Sequence, residues 1–330
     1  MGTYRHLSIK ERELIYLYNG MGFSVRRTAI LLKRSPSTIS RELRRHTERR
    51  YYSPHFSQNS YKKNRSRCGR KRLLANPSLR KIIEPLFLIR QWSPEQIVHR
   101  LKHEDINVQV SYNTIYRAIY HGLFNSTLSR DSKGAIRKLR HQGKQRKTKD
   151  FEETRGHLPI SHAIHERPSE AELRSELGHW EIDTVHGKKG KNCLVTLVDR
   201  KSRFLLAGRT MNKSAAAIYS SLDSLLVSLN PMNLKSITSD RGSEFALHSD
   251  ITKKHSVEFY FSDPYSPWQR GTNENTNGLI REYLPKRKDI GDYTDEFIEQ
   301  FVDKMNLRPR KCLGWKTPYE VFYDKVLHLI

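Results

Sequence analysis

Apolar residues recur at helical spacing through the first 125 positions and at shorter, strand-like spacing from Leu177 onward. The chain is therefore read as a helical half followed by an α/β half. Ser8 and Glu11 make a capping box ahead of Leu14, Leu17 and Tyr18, which predicts a first helix ended by Gly20 and Gly22. Ser24 caps a second, with Val25, Ala29 and Leu32 on one face. Ser35 as cap and Pro36 as first helical residue open a third. Its Ile39 and Leu43 face inward, leaving Ser37, Thr38, Arg41, Arg44 and Arg45 outward. Three short helices in this order predict a helix-turn-helix unit whose last helix enters the major groove.

The same grammar returns downstream. Ser93, Pro94 and Gln96 open a helix with Ile97 and Leu101 on its apolar face. SYNTIYRAI at 111–119 then matches SPSTISREL at 35–43 as S-x-x-T-I-x-R-x-(L/I). This predicts a second helix-turn-helix with Tyr112, Asn113 and Arg117 outward. The basic run from Tyr61 to Arg72 reads as a linker, and residues 126–175, with little periodicity, as a flexible basic connection. The expected division is 1–60, 61–125, 126–175 and 176–330.

HWEIDTV, CLVTLVD and RFLLAGR are three β-rich runs joined by turn material, which suggests an antiparallel meander. KSAAAIYSSLDSLLVSL reads as a helix, SITSD and VEFYF as two further strands, and residues 270–284 as a closing helix. The order βββαβαβα predicts a mixed five-stranded sheet covered by helices, the layout of ribonuclease H-like domains. The tail is helical, with Phe297, Phe301 and Met305 in one stripe and a further capping box at Thr317 and Glu320. The fold class is therefore multidomain, an all-α tandem helix-turn-helix part followed by an α/β ribonuclease H-like domain.

Charge sharpens this division. Residues 1–150 hold 34 basic and 10 acidic side chains, a net of +24, whereas residues 151–330 hold 26 and 25. A basic half beside a neutral one fits a polyanion-binding part beside a catalytic part. No apolar run approaches the roughly 20 residues of a membrane span, and the charged N-terminus does not read as a signal peptide. Cys68, Cys193 and Cys312 are far apart, which argues against a zinc knuckle and for free thiols. Free thiols make a reducing cytoplasm the expected location.

Three carboxylates stand out. Asp183 alternates with Glu181 along a strand, so both point to one face, and spacing does not choose between them as ligands; the other would be a nearby solvated acid. Asp240 sits where a strand gives way to a turn, the kind of place where open α/β sheets bind ligands. Glu274 follows after 33 intervening residues, and Asn277 and Arg281 share its helical face, where they would meet a nucleic-acid backbone. Three acids on separate elements suit two hard cations. Taken singly, each acid also has a plain structural explanation as a hairpin, turn or surface residue.

GHWEIDTV, TSDRGSEF and PYSPWQRGTNENTNGLIREYLPK resemble the DDE transposases of bacterial insertion sequences, most closely the insertion-sequence-30 family. WSPEQI, VSYNTIYRAIY and LRPRKCLGWKTPYEVF extend the resemblance over nearly the whole chain. It implies that Asp183, rather than Glu181, joins Asp240 and Glu274 as catalytic and metal-binding residues. It further implies two Mg²⁺ ions (Mn²⁺ as substitute), binding to double-stranded terminal inverted repeats, and transfer of the cut ends to target DNA. Working on paired ends implies a homodimer or higher oligomer. The competing readings are a DNA-binding repressor with a non-catalytic ribonuclease H-like domain, and a structure-specific nuclease.

Overall fold

The computed structural model describes residues 5–45, 52–68, 72–125, 134–139, 160–187, 192–264, 266–286 and 288–330. The expected linker at 126–133 and 140–159, and part of the basic run at 69–71, lie outside them. The chain forms two compact units, Met1–Arg72 and Leu73–Ile330.

The first unit contains α1 (Ile9–Gly20), α2 (Val25–Leu31), α3 (Pro36–Leu43) and α4 (Pro54–Arg67). The caps lie where the sequence puts them: Ser8 with Glu11 in a capping box, then Ser24 and Ser35. The α1 face differs from expectation. Leu14 and Leu17 are exposed, and Ile15 and Arg12 are the buried pair. Arg12 is tolerated there because its Nε lies 2.7 Å from Glu42 of α3, and its guanidinium also donates to the Leu7 carbonyl at 2.6 Å. Tyr52 adds a hydroxyl to Glu42 at 3.3 Å. The basic run read as a linker is helical up to Arg67, continuing α4.

The second unit begins with α5 (Pro77–Leu88), α6 (Pro94–His103) and α7 (Tyr112–Tyr120), packed through Ile83, Phe87, Trp92, Ile97, Leu101, Ile115 and Ile119. The sheet consists of β1 (His162–Ala163), β2 (His179–His186), β3 (Cys193–Asp199), β4 (Leu205–Thr210), β5 (Ser236–Ser239) and β6 (Glu258–Phe261). Its order is β1-β6-β5-β2-β3-β4. The β2-β3-β4 meander is antiparallel as expected, and β5, β6 and β1 are added in parallel. Six strands replace the expected five. The extra one and α8 (Ser169–Leu173) fall inside the segment read as a flexible connection, so residues 160–175 are ordered. A two-residue strand leaves no periodic trace in a sequence.

Helices α9 (Ala215–Val227), α10 (His248–His255), α11 (Gly271–Ile280) and α12 (Asp295–Asn306) accompany the sheet, and α13 (Pro318–Tyr323) follows. Ile218, Leu222 and Leu226 of α9 pack in one core with Trp180, Ile182, Val195 and Leu197. Leu279 and Ile280 of α11 pack in a second with Phe301 and Met305 of α12, Val185 and Val198.

The α6–α7 pair, expected as a second helix-turn-helix, is bound to the C-terminal segment. Arg100, fully buried on α6, donates to both oxygens of Glu320 at 2.7 and 2.8 Å and to Glu104 at 2.6 Å. Glu320 is also the third residue of the capping box on Thr317. His99 stacks on Trp315 with ring centroids 4.1 Å apart, and the Leu329 and Ile330 amides donate to Glu104. Among the described residues no helix is long and apolar enough to cross a membrane.

Candidate active site

The parallel register of β2 and β5 pairs Glu181 with Thr238. Two residues further along, Asp183 and Asp240 fall side by side at one edge of neighbouring strands, which run about 4.8 Å apart. The backbone aims each carboxylate. The Thr184 amide donates to Asp183 Oδ1 at 2.8 Å, and the Gly242 amide to Asp240 Oδ1 at 3.1 Å. A Cβ at Gly242 would lie 2.3 Å from Glu244 Oε2 and 2.9 Å from Asp240 Oδ1, so any larger residue would displace these carboxylates.

Across this pair lies one stripe of α11 and the turn before it. Arg270, Glu274, Asn277 and Arg281 are spaced four, three and four residues apart, so they share a helix face. Arg270 sits between the acids, with Nη2 3.3 Å from Asp240 Oδ2 and Nη1 3.8 Å from Asp183 Oδ1. Asn277 Nδ2 donates to Asp183 Oδ2 at 2.7 Å, so it faces the acid and not outward solvent. Arg281 is half-buried and donates weakly to the Leu284 carbonyl at 3.4 Å. Burial pushes its guanidinium pKa down, and nearby Asp183 opposes that shift. Glu274 is exposed on the same stripe. Among the described residues no three acidic, histidine or cysteine side chains close on one point.

Burial raises the pKa of Asp183 above the ordinary range for Asp; Arg270 and the Thr184 amide pull it down, and Asp240 and Glu244 add repulsion. Glu244 is itself buried, 2.6 Å from Lys213 Nζ and 3.4 Å from Thr184 Oγ1. The pair fits a divalent ion on the chemistry of its donors. Two hard carboxylates converge, and the protein's own guanidinium stands as a cation between them.

Glu181 departs from the expected solvated acid. It is fully buried, paired with Arg200 and accepting from the Asn273 amide at 2.9 Å, so it fastens the start of α11 to β2. Arg270 and Glu244 escaped sequence reasoning. Arg270 carried a signal, since it precedes Glu274 by four residues on the helical pitch that also selected Asn277.

In the first helix-turn-helix Ser37, Arg41, Arg44 and Arg45 are exposed and Thr38 is half-buried. Arg41 Nε donates to the Ser37 carbonyl at 3.1 Å. In the second, Tyr112, Asn113 and Arg117 are exposed on α7.

The Integrase core domain family matches residues 174–267, which contain Asp183 and Asp240 and stop before Glu274. The Helix-turn-helix domain family matches residues 3–46. Transposase InsI for insertion sequence element IS30A of Escherichia coli (strain K12) is 39% identical over 327 residues, covering 96% of this chain and 83% of that protein. The transposase for insertion sequence element IS1086 of Cupriavidus metallidurans is 35% identical, covering 96% of this chain and 94% of its own length. The transposase for IS4351 of Bacteroides fragilis is also 35% identical, with 96% and 95% covered. Similarity of this extent, running through both helix-turn-helix segments and the carboxylate-bearing sheet, makes the chain a member of the IS30 family of DDE-type, DNA-binding transposases.

Proposed function

We propose that the chain binds the terminal inverted repeats of its element as a dimer or larger assembly. It then cuts the ends by phosphodiester chemistry and transfers the 3′-hydroxyl ends to target DNA. Members of the integrase core family depend on divalent metal; here Asp183, Asp240 and Glu274 would hold two Mg²⁺ ions, with Mn²⁺ as substitute. Such a pair of ions, when bound, activates the attacking oxygen and stabilises the leaving 3′-oxygen of an in-line displacement. Asp183 and Asp240 are held for this by the Thr184 and Gly242 amides and by Asn277. Glu274 swings in from the α11 stripe, and Arg270 withdraws to leave the acids free. End recognition falls to the outward residues of α3 and α7, with Arg41 and Arg117 in matching slots and Ser37, Thr38, Arg44, Arg45, Tyr112 and Asn113 around them. Arg281 supplies a backbone contact beside the acids.

The observation that carries this reading is the in-register aspartate pair bridged by Arg270 under the helix that bears Glu274. The test is a terminal-repeat duplex incubated with Mg²⁺, scored for nicking and for strand joining. Asp183→Asn, Asp240→Asn and Glu274→Gln should each abolish both while leaving duplex binding within a few-fold. Activity surviving in all three would remove the metal mechanism.

A further inference from the structure

Behind α11, on the side away from Glu274, lies a cavity of about 200 Å³ lined by Arg174, Arg203, Arg310, Thr272, Asn275 and Cys312 among others. No carboxylate lines it. Elsewhere in this unit Arg100, Arg167, Arg200, Arg209, Arg241 and Arg308 each hold an acidic partner. Among the described residues Arg174, Arg203 and Arg310 have no ion-pair partner. Arg203 spends one nitrogen on the Thr272 hydroxyl at 2.9 Å and on the Arg200 carbonyl. Arg310 gives Nη2 to the Met305 carbonyl at 3.3 Å, while its Nε is buried without a hydrogen-bond partner. Burial, with Arg308 adding repulsion, pushes Arg310 down to about 10 against the pull of Glu282, and burial with Arg203 lowers Arg174 against the pull of Glu181 and Glu172. Three arginines thus line one cavity that, among the described residues, has no carboxylate in its wall, and a tetrahedral oxyanion matches their fork-shaped donors.

A larger cavity of about 550 Å³ shares Asn275, Arg310 and Cys312 with this one and extends to Tyr116 and Tyr120 of α7. The two spaces adjoin at these shared residues, so a strand laid along both would follow a path from the flank of α7 to the back of the helix that bears Glu274. A helix is about 10 Å wide, so a strand on this path passes close to the acids. We propose that the three-arginine cavity is a phosphate site that seats one backbone phosphodiester of the bound DNA. This rests on the transposase reading above and adds a strand-holding site to it.

The test uses the full chain with Cys68→Ser, which leaves Cys312 as the exposed thiol because Cys193 is buried. The rate of Cys312 alkylation by iodoacetamide is followed without divalent metal, alone, with inorganic phosphate, and with a terminal-repeat duplex. The duplex should slow alkylation by about tenfold or more, and inorganic phosphate should do so only at much higher concentration. Arg174→Asn and Arg203→Gln should each remove that protection. Each should also lower the slope of log affinity against log salt by about 0.9, the share of one phosphate. Arg174 is exposed and has left-handed backbone with φ of 58°, which Asn tolerates, so that variant tests the site without a folding penalty. Unchanged alkylation under bound duplex, with both slopes at the wild-type value, would overturn the site and leave the transposase reading intact. Protection by inorganic phosphate but not by duplex would assign the cavity to free phosphate and overturn its DNA role. A wild-type chain that neither bound nor cut the duplex would overturn the transposase reading and this one with it.

Discussion

Arg270 has the least settled position of any charged residue at the acid pair. Its Nη2 reaches Asp240, but Nε and Nη1 are buried without hydrogen-bond partners. A guanidinium with two idle donors has somewhere else to go, such as a substrate phosphate. Arg270→Ala should therefore tighten Mn²⁺ binding by the metal-free chain several-fold in calorimetry, because a competing cation is gone. Strand cutting should fall in the same variant. Equal or weaker Mn²⁺ affinity would show that Arg270 supports the site and does not compete for it. Glu181→Gln should behave differently from the aspartate variants. It removes the buried partner of Arg200 and leaves it only the exposed Glu172 at 3.7 Å, which costs up to about 3–5 kcal/mol, and urea unfolding should show it. The place of Asp240 just past a strand end was legible, whereas alternation alone did not separate Asp183 from Glu181. Glu181 was misread because alternation gives the face a residue points to but not what lies over that face. Arg200, 19 positions away, closes on Glu181 only once β2 and β3 have paired. Leu14 and Leu17 misled for a related reason, since hydropathy cannot foresee that a buried Arg12 will find Glu42.

Among the elements, the capped helices and the meander were readable from local chemistry, and the contacts between distant elements were not. The Thr317 capping box was visible, but nothing near Glu320 in the chain points to Arg100. Burial alone would raise the Glu320 carboxyl, yet Arg100 and the Thr317 and Leu327 amides hold it at about 2, well below the ordinary 4.5 of a glutamate. A carboxylate lowered on folding stabilises the folded state above its unfolded pKa, and that contribution is lost as pH falls from about 4.5 towards 2. At neutral pH it is on the order of 3 kcal/mol. Denaturant titrations of the wild type and Glu320→Gln should therefore diverge most at pH 7 and converge near pH 2. A constant gap across that range would mean that the Glu320 charge does not fasten the C-terminal segment to α6.

For the whole molecule, the charge asymmetry was plain from composition, but the division into units was not. A cut after residue 125 would sever α6 from Glu320, leaving Arg100 with only Glu104. The structural boundary instead follows Arg72. A fragment of residues 1–72 should fold cooperatively, judged by helical circular dichroism. It should also bind duplex DNA with affinity that falls steeply with salt. A fragment of residues 1–125 should show a second, weaker unfolding step. A single sharp transition in the longer fragment would mean that its second helical group needs no C-terminal partner.

The link between Arg100 and Glu320 spans 220 positions of sequence. A ribosome therefore releases α6 and α7 long before the residue that fastens them. The first unit ends at Arg72, so its residues are all made while the sheet is still being synthesised. Asp240 and Glu274 emerge later still. On the reading proposed above, the growing protein completes its first helix-turn-helix unit before it gains the acids that would cut DNA.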